Sequence, residues 1–279
     1  MPDADLSAVP NGGRPALDAA ALTAELTAGS SLWRAVEVLE AVGSTNAELV
    51  ARAAADEAEG LVLVAEHQEA GRGRLDRTWT SPPRAGLTVS VLLRPVVPAA
   101  RRAWLSLLTG VALAEAASEV AGVRTSLKWP NDLLAPDGGK LAGILAESAG
   151  SAVVVGVGLN VSTRREELPE TGTSLALVRE APVDRATVLL AFLRAFERRY
   201  QRWVQVLGDP VSSGLAHDYL AWSSTVGASV TVTMPDGSTL AGVAEAVDWD
   251  GRLVVRTDAG VVELASGDVR HVRRSTSRP

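Results

Sequence analysis

Between Thr225 and Arg273 the chain is interrupted by Pro235-Asp236-Gly237, Asp250-Gly251, Asp258-Ala259-Gly260 and Ser266-Gly267-Asp268. Glycine, proline, aspartate and serine at such spacing punctuate short strands, because they supply the backbone angles and local hydrogen bonds that turns need. The alternating runs between them leave room for four or five strands and no helix. A short all-β stretch of this kind predicts a small β-barrel. The chain before it reads differently, with strand-like and helix-like segments mixed, and predicts a mixed α/β unit. The expected organisation is a flexible N-terminus with one short helix over residues 1–30 (1–15 disordered), a larger domain over 31–223, a barrel over 224–275 and a tail over 276–279.

Within the larger unit the apolar run Leu61-Val62-Leu63-Val64-Ala65 leads directly into Glu66-His67-Gln68-Glu69-Ala70-Gly71-Arg72-Gly73-Arg74-Leu75-Asp76-Arg77. Glycine allows close backbone approach to a ligand, and arginine beside it offers fork-shaped donors to carboxylate or phosphate. A strand ending in such a loop predicts a lid over an anion. Upstream, Gly43-Ser44-Thr45-Asn46-Ala47-Glu48 opens an alanine- and leucine-rich helix, with Thr45 and Glu48 at capping-box spacing. The same hydroxyls and helix-start amides could face a ligand, and the two roles are compatible.

Of 27 basic residues only Lys128 and Lys140 are lysine. Both lie in the centre of the chain, where a compact ammonium suits a site that a planar guanidinium does not. Lys128 precedes Trp129-Pro130-Asn131-Asp132, a turn between apolar runs that could present Asn131 and Asp132 to a magnesium–phosphate group. Lys140 opens the run Lys140-Leu141-Ala142-Gly143-Ile144-Leu145. Gly138-Gly139-Lys140 lacks P-loop spacing, and Gly156-x-Gly158 lacks the third glycine and the helix of a dinucleotide fingerprint. Glycine inside that strand predicts the close approach of a flat ligand or another backbone.

Several chemistries fall away. The chain has no cysteine and three scattered histidines, His67, His217 and His271, which excludes disulfides and thiolate metal sites and disfavours a histidine-rich zinc centre. No G-x-S-x-G occurs. A net charge of −6 argues against general nucleic-acid binding. Neither a signal-peptide pattern nor a long uncharged apolar run is seen, so the expectation is a cytoplasmic protein with no membrane partner.

Gly43-Ser44-Thr45-Asn46, Gln68 with Gly71-Arg72-Gly73-Arg74, Lys128-Trp129-Pro130-Asn131-Asp132, Lys140-Leu141-Ala142-Gly143-Ile144-Leu145 and Gly156-Val157-Gly158-Leu159-Asn160 stand in this order. Together they resemble the biotin–protein ligases, over roughly residues 32–275. The resemblance implies a mixed sheet flanked by helices of the class II aminoacyl-tRNA synthetase type, with an SH3-like barrel behind it. It implies activation of biotin by ATP and Mg²⁺ to biotinyl-5′-adenylate, then transfer to a lysine of a biotin carboxyl carrier domain of the acetyl-CoA carboxylase type.

Residue by residue, it implies biotin contacts from Ser44, Thr45, Asn46, Gln68, Arg72, Gly73, Arg74 and Lys140. It implies ATP contacts from Arg72, Arg74, Trp79, Lys128, Asn131 and Asn160, with Lys140 and Arg74 catalytic. Mg²⁺ is expected mainly on the ATP phosphates, near Asn131 and Asp132. Asp76 stands where the family loop often has a third glycine. The N-terminal stretch is too short for a helix-turn-helix, so a short form without a DNA-binding domain is expected, acting as a monomer or weak homodimer. A lipoate or octanoate ligase of the same fold, and a non-catalytic biotin-responsive regulator, are the competing readings.

Overall fold

The structure, a computed structural model, describes residues 13–75 and 77–271. Asp76 and residues 1–12 and 272–279 lie outside the described residues, so the expectations for the first twelve residues, for the tail and for Asp76 are not met by any observation.

The larger sheet has seven strands: β1 (Ala35–Leu39), β2 (Leu61–Ala65), β3 (Gly86–Leu93), β4 (Ser126–Lys128), β5 (Asp132–Leu134), β6 (Lys140–Ala149) and β7 (Ala152–Asn160), in the order β1-β2-β3-β7-β6-β5-β4. β1 and β2 are parallel and every other pair is antiparallel. The uninterrupted apolar run of β2 is explained by burial on both faces. Val62 and Val64 join the main core, while Leu61 and Leu63 join a smaller one beneath helix α2 (Thr45–Ala54) with Leu49 and Ala53. Such two-sided burial is what makes a central strand read as continuous rather than alternating.

The other helices are α1 (Ala19–Thr27), α3 (Trp104–Ala121), α4 (Leu175–Arg179), α5 (Arg185–Gln205) and α6 (Leu215–Trp222). α3 and α5 pack against one another over the main core. The stretch Ala99–Ala121 is long and apolar enough to cross a membrane, yet 67% of its most apolar 18-residue window is buried inside the protein, as a core helix would be. Glycine ends α3 at Gly122, with φ +64°, the left-handed cap that a Cβ disfavours.

The second sheet, β8 (Ser229–Thr233), β9 (Thr239–Val247), β10 (Leu253–Thr257), β11 (Gly260–Leu264) and β12 (Asp268–His271), is wholly antiparallel in the order β11-β10-β9-β8-β12. The fold class and this small C-terminal β unit agree with the expectation.

Two local expectations need correction. Residues 13–15 are not loose: Arg14 pairs with Glu167 at 2.7 Å and donates to the Ser162 carbonyl, while the Pro15 carbonyl accepts from Arg185. Arg185 is itself paired with buried Glu66 at 2.7 Å, and the second Glu66 oxygen accepts from the Leu17 amide. A buried carboxylate–guanidinium pair needs its remaining donors and acceptors filled, and the N-terminal backbone fills them. The helix cap is Ser44, which accepts from the Ala47 amide, and not Thr45. Thr45 is turned toward Gln68 instead. The short α4, capped by Ser174, had no sequence signal because five residues are too few to show a period.

Candidate active site

One cavity of about 130 Å³ gathers residues from α2, the Gly/Arg stretch, the β4–β5 turn, β6, β7 and the start of β12. Ser44, Thr45, Asn46, Gln68, Arg72, Gly73, Arg74, Trp79, Lys128, Asn131, Asp132 and Lys140 all line it. These twelve sequence-derived positions come from separate stretches of the chain and meet only through the sheet order. Asn160 is the exception. It is buried outside the lining, where its amide donates to the Thr173 carbonyl and, at 3.4 Å, to the Lys140 carbonyl. Its place is under the Lys140 backbone.

The Gly/Arg stretch folds back as a small hairpin. Arg72 bridges Thr78, the Gly73 amide donates to the Arg77 carbonyl at 2.6 Å, and the Trp79 amide donates to the Gly71 carbonyl at 2.9 Å. This puts the Trp79 indole across the sheet. A methyl at Gly158 would lie 2.2 Å from the indole, and Gly143 also faces it. The flat group that the strand glycine admits is therefore a side chain of the protein itself. The Lys140 ammonium stands 5.9 Å from the ring centroid, within cation–π range. The buried Trp79 Nε1 has no partner among the described residues.

At one end of the cavity the charges converge. Lys140 Nζ is 2.6 Å from Asp132 Oδ1, and Lys128 Nζ is 3.8 Å from Asp132 Oδ2. Arg74 donates to Asn131 Oδ1 at 3.4 Å, and Asn131 is oriented by donating to the Ile144 carbonyl. Burial lowers the Arg74 pKa, with Asp132 and Asp268 opposing that shift. The turn carrying Asn131 and Asp132 is fixed from behind by the small sheet: the Trp129 amide donates to Thr225 Oγ1 and its indole to the Gly251 carbonyl. His271 Nε2 is 3.2 Å from the same Thr225 hydroxyl. Burial, and then Lys128, depress its pKa.

At the other end lies a polar floor. The Thr45 amide and hydroxyl both donate to Gln68 Oε1, at 2.8 and 3.0 Å. Asn46 is buried and donates to the Leu145 carbonyl and to Glu147. Glu147 also lies 3.1 Å from Arg72. The room for Asn46 comes from Gly156, where a methyl would sit 2.1 Å from Asn46 Oδ1. Ser90, Glu147, Gly267 and Asp268 belong to this region and had not been singled out from the sequence. Ser90 had a faint signal, a lone hydroxyl in an apolar strand. The small sheet's share in the cavity had none, since no local pattern shows which loop of a barrel faces its neighbour.

A cavity with an amide-and-hydroxyl floor at one end and a cluster of fixed cations at the other can hold a polar head group, an apolar connection and an anion in line. Fixed cations also stabilise charge that develops during attack on phosphorus.

The comparisons with known proteins agree. Residues 39–163 match the Biotin/lipoate A/B protein ligase family, and residues 225–272 match the Biotin protein ligase C terminal domain. The chain is 43% identical over 265 residues to the biotin--[acetyl-CoA-carboxylase] ligase of Mycobacterium tuberculosis, covering 93% of this chain and 97% of that one. It is 31% identical over 240 residues to the ligase of the same name from Paracoccus denitrificans, covering 83% and 98%. The structure resembles the biotin protein ligase of Aquifex aeolicus in complex with biotin and ATP, with TM-score 0.71 and 28% identity, over 85% of this chain and 98% of that one. The chain belongs to the biotin protein ligase family.

Proposed function

We propose that this protein activates biotin with ATP to biotinyl-5′-adenylate and passes the biotinyl group to a lysine of a biotin carboxyl carrier domain. The observation that carries the reading is the single cavity joining the Thr45–Gln68 floor to the Lys140–Lys128–Arg74 cluster. The ureido head of biotin needs paired donors and acceptors in a shielded pocket, and Ser44, Thr45 and Gln68 offer them. Lipoate has no such need, so the floor supports biotin over the lipoate or octanoate reading.

In the first step a biotin carboxylate oxygen bonds to the α-phosphorus and the bond to pyrophosphate breaks. Two anions must approach, and Lys140 with Arg74 offsets their repulsion where charge builds up. Lys140 is taken from Asp132 by the incoming anions, so Asp132 holds the ammonium in place until then. Trp79 supports the adenine, and the Arg72–Arg74 backbone covers biotin. Asn46 and Asn160 act from beneath, one holding the floor and the other the Lys140 strand. In the second step the carrier lysine amine attacks the acyl carbon and AMP departs. The hairpin keeps water from the adenylate meanwhile.

Asp132 already faces both lysines, and no group of three or more His, Cys, Asp or Glu able to hold a metal occurs among the described residues. Mg²⁺ therefore fits as a companion of the ATP phosphates, neutralising their charge beside Asn131, and not as an ion held by a protein cage. The net charge of −6 supports a protein that does not bind DNA, and we further propose a cytoplasmic monomer or weak dimer.

The test is incubation with radiolabelled biotin and ATP, with and without a carrier domain. Label is expected on the carrier only when ATP is present. Pyrophosphate exchange driven by lipoate and not by biotin would reverse the substrate assignment.

A further inference from the structure

The floor of the cavity contains a hydrogen count that does not balance. Asn46 directs its NH₂ at two groups that can only accept, the Leu145 carbonyl at 3.1 Å and Glu147 Oε2 at 2.7 Å. Its Oδ1 must then be the atom facing Ser90 Oγ, 2.6 Å away. At the far end, the Thr45 backbone amide can only donate, so the Gln68 atom it meets at 2.8 Å must be Oε1. Both amides are thereby fixed with oxygen pointing inward.

Between these two oxygens stand two hydroxyls. Ser90 Oγ is 2.7 Å from Thr45 Oγ1, and Thr45 Oγ1 is 3.0 Å from Gln68 Oε1. Three oxygen–oxygen contacts therefore share only the Ser90 and Thr45 hydrogens. Ser90 is wholly buried, in β3 opposite Gly156 of β7, so bulk water does not supply the third at its oxygen. A buried acceptor left without a donor is costly.

We propose that Ser90 is a specificity-determining positioning residue: its hydroxyl binds both Asn46 and Thr45, leaving the Thr45–Gln68 floor one donor short, so that the pocket favours an acid whose head group brings an N–H. The inference rests on the biotin reading above and adds to it a reason for preferring a ureido ring. Gln68 Oε1 is already engaged by Thr45, yet it still accepts a ligand N–H because the Thr45 hydrogen is contested by Ser90. Ser90 touches no substrate. It acts through Thr45.

The test is calorimetric titration of the full chain with biotin and with the two isosteric analogues in which one ureido N–H is replaced by a ring oxygen. For the wild type, one of the two analogues is expected to bind roughly 10–100-fold more weakly than biotin, the loss that follows when the ligand shields Gln68 Oε1 from water and brings no donor for the lone pair that the Thr45 amide does not fill. In Ser90→Ala the Thr45 hydrogen is released to Gln68, and the discrimination should shrink to about threefold or less, while the loss of the donor to Asn46 Oδ1 weakens biotin and both analogues alike and leaves their ratio as the readout. A merely structural role would weaken biotin and both analogues alike and would leave their ratio where it was. Retention of the full ratio in Ser90→Ala overturns the proposal. So do analogues that both match biotin on the wild type, a measurement that needs no variant to fold. If biotin itself fails to bind the wild type, the functional reading falls first and is recognised as the cause.

Discussion

The Arg77 guanidinium lies 2.7 Å from the Asp268 carboxylate, so the hairpin over the cavity is tied to the first residue of β12. Burial pushes the Asp268 carboxyl up, and Arg77 beside it more than reverses this, holding it below its ordinary value. Arg77 is largely exposed, with 62% of its side chain accessible, and such pairs contribute at most about 1 kcal/mol. Asp268→Asn should therefore change global stability little while speeding amide exchange across residues 71–79. The charge-reversed pair Arg77→Asp with Asp268→Arg should restore the protection. Unchanged exchange in the single variant would mean that the pair does not hold the hairpin.

Lys140 is expected to matter most as the new bond to phosphorus forms. Lys140→Ala should lower single-turnover adenylation on the order of 10²–10³, the typical loss for one preorganised donor. Lys140→Arg should not restore it, because the wider guanidinium does not fit a space bounded by Asp132 and the Trp79 ring. Lys128→Arg should be milder. Near wild-type turnover by Lys140→Arg would remove the argument from size.

Gly158→Ala places a methyl 2.2 Å from the Trp79 indole, so either the ring or the strand must move. Overpacking of this kind costs about 1–3 kcal/mol. The expected result is a raised KM for ATP with a smaller change for biotin, together with a lost near-ultraviolet dichroism band from Trp79. Steady-state kinetics with each substrate varied in turn decides it.

Glu167 is held at a pKa of about 2, below the ordinary 4.5. Burial pushes its carboxyl up, but Arg14, Arg164 and the Arg164 amide together pull it further down. Because the folded state binds its proton less readily than the unfolded one, its contribution is present above pH 4.5 and is lost as pH falls toward 2. Arg14→Ala should flatten that part of the stability–pH curve, which urea melts from about pH 5 down to about pH 2 would show.

The change from a mixed α/β sheet to a small antiparallel one was readable from the chain because turn chemistry is local: each Asp-Gly or Pro-Asp-Gly marks its own bend. The cavity was readable for the residues that sit in distinctive triplets and quartets, such as Gly71 to Arg74 and Lys128 to Asp132. What the sequence does not display is direction. Thr45 and Ser44 are adjacent, and nothing in their order tells which one caps the helix and which one faces Gln68. Ser90 is a single serine in an apolar strand, and its meaning depends on Gly156 lying opposite in β7. Asp268 is more than a hundred residues from Arg77 in the chain, and only the docking of the small sheet behind Trp129 brings the two together. Arg14 stands in a stretch whose composition predicts disorder, and only the fold brings Glu167 beside it.

The place of Trp79 has a practical side. Trp33, Trp104, Trp129 and Trp203 are locked in the core, whereas Trp79 rides on the hairpin with a lysine ammonium near its ring. An indole's emission responds to nearby charge and to water, so opening of the hairpin or removal of Lys140 to a ligand alters that of Trp79, and a Trp79→Phe variant separates this signal from Trp129 beside the cavity and from Trp222 and Trp249 outside the core. The protein thus contains its own optical gauge, and the order in which its substrates arrive can be followed in a stopped-flow fluorimeter without attaching any dye.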